Sequence, residues 1–518
     1  MNKTCFSLNL LLLIITNVDG ARILAYIPTP SISHQVVFRP ITQELAKRGH
    51  EVIVVTTDPA FPKGKAPVNL TEIDVHNVSY KNWEDLFMFH RGKKQDILLQ
   101  IKLFFERFAK CFDVQMDTPD VKNMLKNKDN KYFDILLLEA CNRPVLGLTH
   151  IFDAPVIQIS SLGAFPIQYA LHGAPMHPIL YPTPGRHRSY NLTLLEKIIE
   201  LLKDVALDYL VGKTEDFDYG IMKKHFGEDV PTFQKMTNKL QMLFLNEHPF
   251  WADNHPVPPS IVYIGGIHQT VNKELPKELK NDLDSSTNGV IYVSFGTNVL
   301  PSLLPPESIK IMVKVFSQLP YTILWKWDKE ELPGLTKNIK ISKWFPQSDL
   351  LKHPNVKLFI TQGGLQSTDE AIDAEVPVIG IPMLGDQWYN VEKYVRHKIG
   401  MQLDITTMTE EELKKAITTV IEENSYKLNI MRLRSLMREY PIKPLDNAIW
   451  WIEYCIKYGG SHLKGPAANM GWIEYYEVKL IVIVLVVIMT MLVLIGYIIK
   501  KLFILAYDKI CKQKIKTN

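Results

Sequence analysis

The residues best suited to chemistry cluster between Trp344 and Gln387. Trp344-Phe345-Pro346-Gln347 precedes an apolar run, 356–360, that delivers the chain into Thr361-Gln362-Gly363-Gly364-Leu365-Gln366-Ser367-Thr368-Asp369-Glu370. Two glycines let the backbone approach a ligand closely, and a helix opening near Ser367 aims a hydroxyl and unpaired N–H groups the same way. Such a helix end carries about half a positive charge and favours phosphate. Glu370, one turn further on, has the reach to accept two hydroxyls of a sugar ring, and Trp344 has a flat face for a base. The pattern suits a nucleoside diphosphate, against the plainer reading of an ordinary strand-Gly-Gly-helix connection. His34 is the candidate proton acceptor. It follows a strand and the loop 28–33, and it opens a helix that buries Val37 and Ile41. A helix N-terminus disfavours the imidazolium, which keeps the ring able to take a proton near neutral pH. The alternative is a cap or surface histidine.

Other chemistries fail on spacing. Gly212-Lys213-Thr214 ends like a phosphate-binding loop, but Leu207 stands where its first glycine is needed. Asp216-Phe217-Asp218 and Asp282-Leu283-Asp284 follow no clear apolar strand and read as solvated polar segments. His-Glu-x-x-His, Cys-x-x-Cys and Gly-x-Ser-x-Gly are absent from the sequence, which removes zinc-protease and serine-hydrolase readings.

These residues need scaffolds, and the chain supplies two. Residues 22–57 run strand, helix, Gly49, strand, which is a βαβ unit and implies a parallel sheet. The runs 133–139 and 155–159 extend it, while 160–190, rich in Pro, His and aromatics, reads as loops over a pocket. After His255-Pro256-Val257-Pro258-Pro259 the pattern restarts at 289–294 and continues through 322–325, 356–360 and 377–381. Two doubly wound α/β domains facing each other would hold a ligand between their strand C-termini. The expected division is 21–250 and 251–460.

The ends set the compartment. Residues 1–20, with Lys3 ahead of a short apolar run, read as a cleaved signal peptide. Residues 461–479 form a juxtamembrane segment. The twenty residues 480–499 contain no formal charge and match the thickness of a bilayer core, about 30 Å. The lysine-rich tail 500–518 puts itself in the cytosol by the positive-inside rule, leaving the large N-terminal part lumenal. Lys514 and Lys516 stand where a dilysine signal for return to the endoplasmic reticulum places its lysines. Sequons at Asn69, Asn77 and Asn191 agree with a lumenal glycoprotein. Cys111, Cys141 and Cys455 allow at most one disulfide and a free thiol, so the core must hold the fold. The chain has 518 residues and a formal charge of +4; without the leader and positions 479–518, 51 basic face 53 acidic residues. A body that near neutrality is no nucleic-acid surface.

The 344–371 segment, with Gly380-Ile381-Pro382 and Gly385-Asp386-Gln387, resembles the signature of the UDP-glycosyltransferase family. The resemblance runs from Pro28-Thr29-Pro30 and Ser33-His34 through Ser294-Phe295-Gly296-Thr297 to Trp450-Trp451-Ile452-Glu453-Tyr454 and the membrane anchor. It is closest in character to arthropod members and similar to the baculoviral ecdysteroid UDP-glucosyltransferases. The resemblance implies a GT-B type fold, two facing Rossmann-like domains plus one C-terminal transmembrane helix. It implies that Trp344 and Gln347 hold uracil, Glu370 the ribose, Ser294, Thr297, Gly364 and Ser367 the diphosphate, and Asp386 with Gln387 the sugar hydroxyls. His34 would be the general base, and Glu139 the carboxylate that steadies it, where the family usually has Asp. Gln362 stands where most members carry His, so it brings an amide but no positive charge. The implied activity is inverting, metal-independent hexosyl transfer from a UDP-sugar co-substrate, with no further cofactor, to a small lipophilic acceptor. Glucose is favoured over glucuronate, the acceptor pocket falls near 80–110 and 160–190, a detoxifying role fits, and homo-oligomerisation is left open. The rival readings are a non-catalytic nucleotide-sugar or lipophile binder and a transferase acting on a membrane lipid.

Overall fold

The computed structural model of the protein describes residues 20–89, 97–126, 129–182, 184, 186, 188–269, 273–439 and 441–516. The expected signal peptide therefore lies outside the described residues except for Gly20, as do part of the expected acceptor segment and the last two residues of the tail. Seven strands, β1 (Arg22–Ile27), β2 (Glu51–Thr56), β3 (Leu70–Asp74), β4 (Ile135–Glu139), β5 (Val156–Ser160), β6 (Leu240–Leu245) and β7 (Ile261–Tyr263), make one parallel sheet in the order β3-β2-β1-β4-β5-β6-β7. Six more, β8 (Val290–Ser294), β9 (Thr322–Lys326), β10 (Ile339–Ser342), β11 (Val356–Thr361), β12 (Val378–Gly380) and β13 (Gly400–Gln402), make a second in the order β10-β9-β8-β11-β12-β13.

The central strands are mostly apolar on both faces because both faces of each sheet are covered. In β1, Ile23, Ala25 and Ile27 pack into one core while Leu24 and Tyr26 enter the core on the other face. Ile291 and Val293 divide from Val290 and Tyr292 in β8 in the same way. Strand order reverses between β1 and β4 and again between β8 and β11, leaving a crevice at the strand C-termini of each sheet. Glu139 ends β4 and His34 lies past the end of β1, while Thr297 and Gln362 lie past the ends of β8 and β11.

The division between domains differs from the expected break at 250. β7 lies beyond the proline cluster yet pairs with β6, Leu243 opposite Ile261. A three-residue strand directly after a proline cluster has no visible alternation. The helix Pro444–Tyr458, expected in the second domain, buries Ala448, Ile449, Ile452 and Cys455 in the core of the first sheet with Val37 and Ile41. The chain thus leaves the first domain after β7 and returns to it at Pro444. Cys111, Cys141 and Cys455 are all buried free thiols.

Two devices fix the domains to each other and to the C-terminal segment. Trp251, ahead of β7, is buried in the second domain's core, and its indole N–H donates to Asn390 Oδ1 at 3.0 Å. On the other side, the helix Pro166–His172 ends with carbonyls of Ala170 and His172 accepting from the N–H groups of Asn469 (3.0 Å) and Gly465 (2.9 Å). Past this strap begins the helix Val478–Lys516, whose most apolar stretch has a mean hydropathy of 3.2 and is not buried against the protein, long and apolar enough to cross a membrane. The helix continues through most of the expected tail.

Truncating Trp251 opens a cavity and strands Asn390. Trp251→Ala should destabilise the fold by about 3–5 kcal/mol, measured by denaturant unfolding of detergent-solubilised protein. A cost below about 1 kcal/mol would remove Trp251 as the plug between the domains.

Candidate active site

The helix Ile32–Lys47 starts directly after the β1 loop, and Gln35, one residue past His34, pins that loop. Its amide donates to the carbonyls of Thr29 (2.8 Å) and Ile27 (3.3 Å), and its Oε1 accepts from the Thr56 hydroxyl at 2.7 Å. Glu139 at the end of β4 is fully buried. One of its oxygens accepts the Thr29 N–H at 3.0 Å, and the other makes a short hydrogen bond with His34 Nδ1. An ionised carboxylate only accepts, so Nδ1 carries the proton and Nε2 is left as the acceptor. Thus the extra methylene of Glu139 does not prevent the contact.

His34 borders two cavities. The larger, about 460 Å³, lies between the sheets and is lined by Ser294, Thr297, Trp344, Gln347, Gln362, Gly364, Ser367, Glu370, Asp386 and Gln387, so every expected donor residue meets in one cleft with His34. The smaller, about 140 Å³, is walled by Trp83, Phe104, Phe105, Phe108, Phe165 and Leu162. Its walls fall in the two segments that the sequence reserves for an acceptor. His34, Asp386 and Gln387 line both cavities and mark their seam.

Within the cleft the side chains are already engaged. The helix Leu365–Asp373 opens with Gly364 as its cap, two residues before the expected start, so Ser367 sits inside the first turn. Gln347 is tied down: its amide donates to Ser367 Oγ (3.0 Å) and Glu370 Oε2 (2.6 Å), and its Oε1 accepts from the Tyr292 hydroxyl. Burial raises the Glu370 carboxyl to about 7 and that of Asp386 to about 6, with hydrogen bonds from Gln347 and Asn390 respectively opposing the shift. Gln387 spends its Oε1 on the N–H groups of Met383 and Leu384, both at 2.8 Å, and keeps only amide hydrogens for a ligand. The Gln362 amide lies over Gly296, where a Cβ would come within 2.3 Å of Nε2, and Gly296 has φ +73°. Only glycine fits there. The Gln362 Oε1 is buried and has no hydrogen-bond partner among the described residues.

Three contributors escape the sequence reading. Lys326, at the end of β9, donates from Nζ to the Gly296 carbonyl at 2.8 Å and stands 4.7 Å from the centre of the Trp344 ring. Burial lowers its ammonium to about 8. Gln366, inside the motif but without an assigned role, bridges the domains by donating to the carbonyls of Ser33 (3.2 Å) and Ser161 (2.8 Å). Asn298 Nδ2 reaches Ser31 Oγ at 3.1 Å across the same cleft. Their signal was position, polar groups at or just past the C-terminal ends of β8, β9 and β11.

The Asp-x-Asp triplets lie away from the cleft, but one expectation about them is corrected. Asp218 is buried rather than solvated, paired with Arg143 at 2.5 Å, because the helix Leu194–Phe226 turns it inward. Asp282 pairs with Lys340 and Asp284 with His353. Among the described residues two groups have metal-like spacing: His34, Glu139 and Cys141, and Asp113, Asp117 and His225. In the first, Glu139 is saturated and burial pushes the Cys141 thiol up, away from the thiolate a metal requires. In the second, the Lys224 ammonium lies 2.6 Å from Asp113 and 2.9 Å from Asp117, filling the place of a cation.

Comparison with known proteins agrees with this geometry. The UDP-glucoronosyl and UDP-glucosyl transferase family model matches residues 22–517. An ecdysteroid UDP-glucosyltransferase of Spodoptera littoralis nuclear polyhedrosis virus is 34% identical over 495 residues, covering 92% of this chain and 96% of the relative. UDP-glucosyltransferase 2 of Dactylopius coccus is 31% identical, covering 96% of each chain. Among solved structures, the glycotransferase of kitacinnamycin superposes with TM-score 0.57 at 19% identity, covering 84% of this chain and 98% of that one. The spinosyn forosaminyltransferase follows at 0.56 and 16%, covering 84% and 99%. The superpositions establish the two-domain GT-B architecture. With a match over nearly its whole length, the chain belongs to the UDP-glucoronosyl and UDP-glucosyl transferase family and is a UDP-glycosyltransferase.

Proposed function

We propose that the protein transfers a hexosyl group, glucose in preference to glucuronate, from a UDP-sugar to a hydroxyl of a small lipophilic acceptor. The observation that carries this reading is the Glu139–His34 pair at the seam of a polar cleft and an aromatic pocket. The acceptor's apolar body sits among Phe104, Phe105 and Phe108 with its hydroxyl toward His34 Nε2. As the oxygen attacks the anomeric carbon from the face opposite UDP, its proton passes to Nε2, the bond to the β-phosphate oxygen breaks, and configuration inverts. Glu139 stabilises the imidazolium. The leaving diphosphate gains charge near the N-terminus of Leu365–Asp373, the Gln362 amide and the Lys326 ammonium, so no metal is needed. Trp344 stacks on uracil, Glu370 accepts from the ribose, Ser294, Thr297, Gly364 and Ser367 hold phosphate oxygens, and Asp386 with the Gln387 amide holds the sugar. Glucosyl transfer is what the names of the viral and insect relatives favour. The exposed apolar helix supports a single membrane span, and the tail lysines support a type I protein of the endoplasmic reticulum with its catalytic domains in the lumen.

His34→Ala should lower kcat by about 10²- to 10⁴-fold while leaving the UDP-glucose Kd nearly unchanged. Glu139→Gln should lower kcat by at least about 10²-fold with donor binding kept. Radiolabelled transfer and calorimetry on the full chain read both. Donor binding without product from any acceptor, by the unaltered protein, would instead identify a binder.

Lys326 gives the donor site a pH limit. Its ammonium is charged below about 8 and neutral above, so the contribution to diphosphate binding is present at neutral pH and lost as pH rises. Donor affinity should fall from pH 7 to pH 9, and Lys326→Met should be weak at both and flat between them. An unaltered pH profile in that variant would remove Lys326 from the site.

A further inference from the structure

The first half of the helix Leu194–Phe226 is built inside out. Leu194, Leu195, Ile198, Leu202, Val205 and Tyr209 share one face at helical spacing, and that face is turned to solvent, with Leu194 77%, Leu202 65% and Val205 70% exposed. The other face presents Glu200 and Asp204 to the protein, where Arg186 holds them at 2.6 and 2.9 Å. A surface helix of a domain surrounded by water has the opposite polarity. A continuous apolar face of this kind marks a contact with another apolar body.

The fold indicates which body. The first domain, which carries this helix, is strapped through Ala170 and His172 to residues 465–469, and from Asn469 to Val478 the chain spans at most about 30 Å. Between them Trp472, Tyr475 and Tyr476 are exposed, the residue types that settle at a bilayer interface. Further along the inside-out helix, Leu207 packs with Ile101 and Phe105, both walls of the aromatic pocket. Apolar outside, charged inside and tethered beside a membrane span, the face matches a helix lying in the interfacial plane.

We propose that residues 194–209 lie on the bilayer that the C-terminal helix crosses, with the apolar face at the acyl boundary, giving the first domain a second membrane contact. This rests on the reading of Val478–Lys516 as a membrane span, and the test separates the two. The full chain carrying Cys511→Ser is reconstituted as single copies in phosphatidylcholine–phosphatidylserine nanodiscs, with a nitroxide at Ile198→Cys, Leu202→Cys or Val205→Cys. Val487→Cys in the C-terminal helix and Lys337→Cys on the exposed second domain serve as references. Collision with oxygen, which concentrates in lipid, is compared with collision with a water-soluble nickel chelate. The expected result is an oxygen-to-nickel ratio at 198, 202 and 205 near that at 487 and several-fold above that at 337. A water-like ratio at 487 would defeat the span itself. A lipid-like ratio at 487 with water-like ratios on the face would leave the span standing and overturn the second contact. Shielding of the face from both reagents would mean that protein covers it, which also overturns the proposal.

Discussion

Glu139 is the constraint around which the first domain's side of the cleft is arranged. A fully buried carboxylate costs several kcal/mol unless its oxygens are paired, and removing one partner of such a pair typically costs about 3–5 kcal/mol. Both oxygens are satisfied, one by the Thr29 N–H and one by His34 Nδ1. Those bonds dictate the path of the loop after β1, the register at which the next helix begins and the tautomer of His34. Gln35 then locks the same loop from inside the sheet. The imidazole is held by the strand order itself, because β1 and β4 are neighbours only where that order reverses.

The second sheet repeats the arrangement with opposite polarity. At its reversal, β8 and β11 deliver not a carboxylate but a glycine pocket, Gly296 beneath the Gln362 amide. On the proposed reading, an amide in place of a cation at that point removes positive charge next to the donor's diphosphate. Lys326, on the neighbouring β9, restores it from the other side of Gly296. The two reversals therefore present an imidazole and a glycine–amide–lysine cluster to a common cleft, and Gln366 and Asn298 tie one to the other across it.

The central strands, the leading helix and the residues that line the cleft were legible because they obey local rules: continuous apolar runs, glycines after a strand, a helix end. What stayed hidden depends on distant partners. β7 is too short and too close to prolines to show a pattern, and Pro444–Tyr458 reads as part of whichever domain precedes it until its apolar stripe is seen against Val37 and Ile41. Asp218 reads as solvated because its partner, Arg143, lies far away in sequence. Lys326 reads as a strand-end lysine because its role comes from Gly296 and Trp344. Gln347 and Gln387 were legible as site residues, but not the internal hydrogen bonds that occupy most of their polar atoms.

The seam at His34 joins two solvents as much as two domains. On one side the cleft offers hydroxyls, amides and a lysine to a charged donor. On the other, phenylalanines line an apolar pocket that the proposed acceptor would fill. A proton acceptor placed there gains from both. Water excluded from the aromatic side lowers the local dielectric, so a carboxylate in contact with the imidazole stabilises its protonated form far more than it would in bulk water. A buried carboxylate, whichever of Asp or Glu supplies it, is therefore required by the dryness of the acceptor side, and the longer Glu139 meets that requirement because Thr29 fixes its second oxygen.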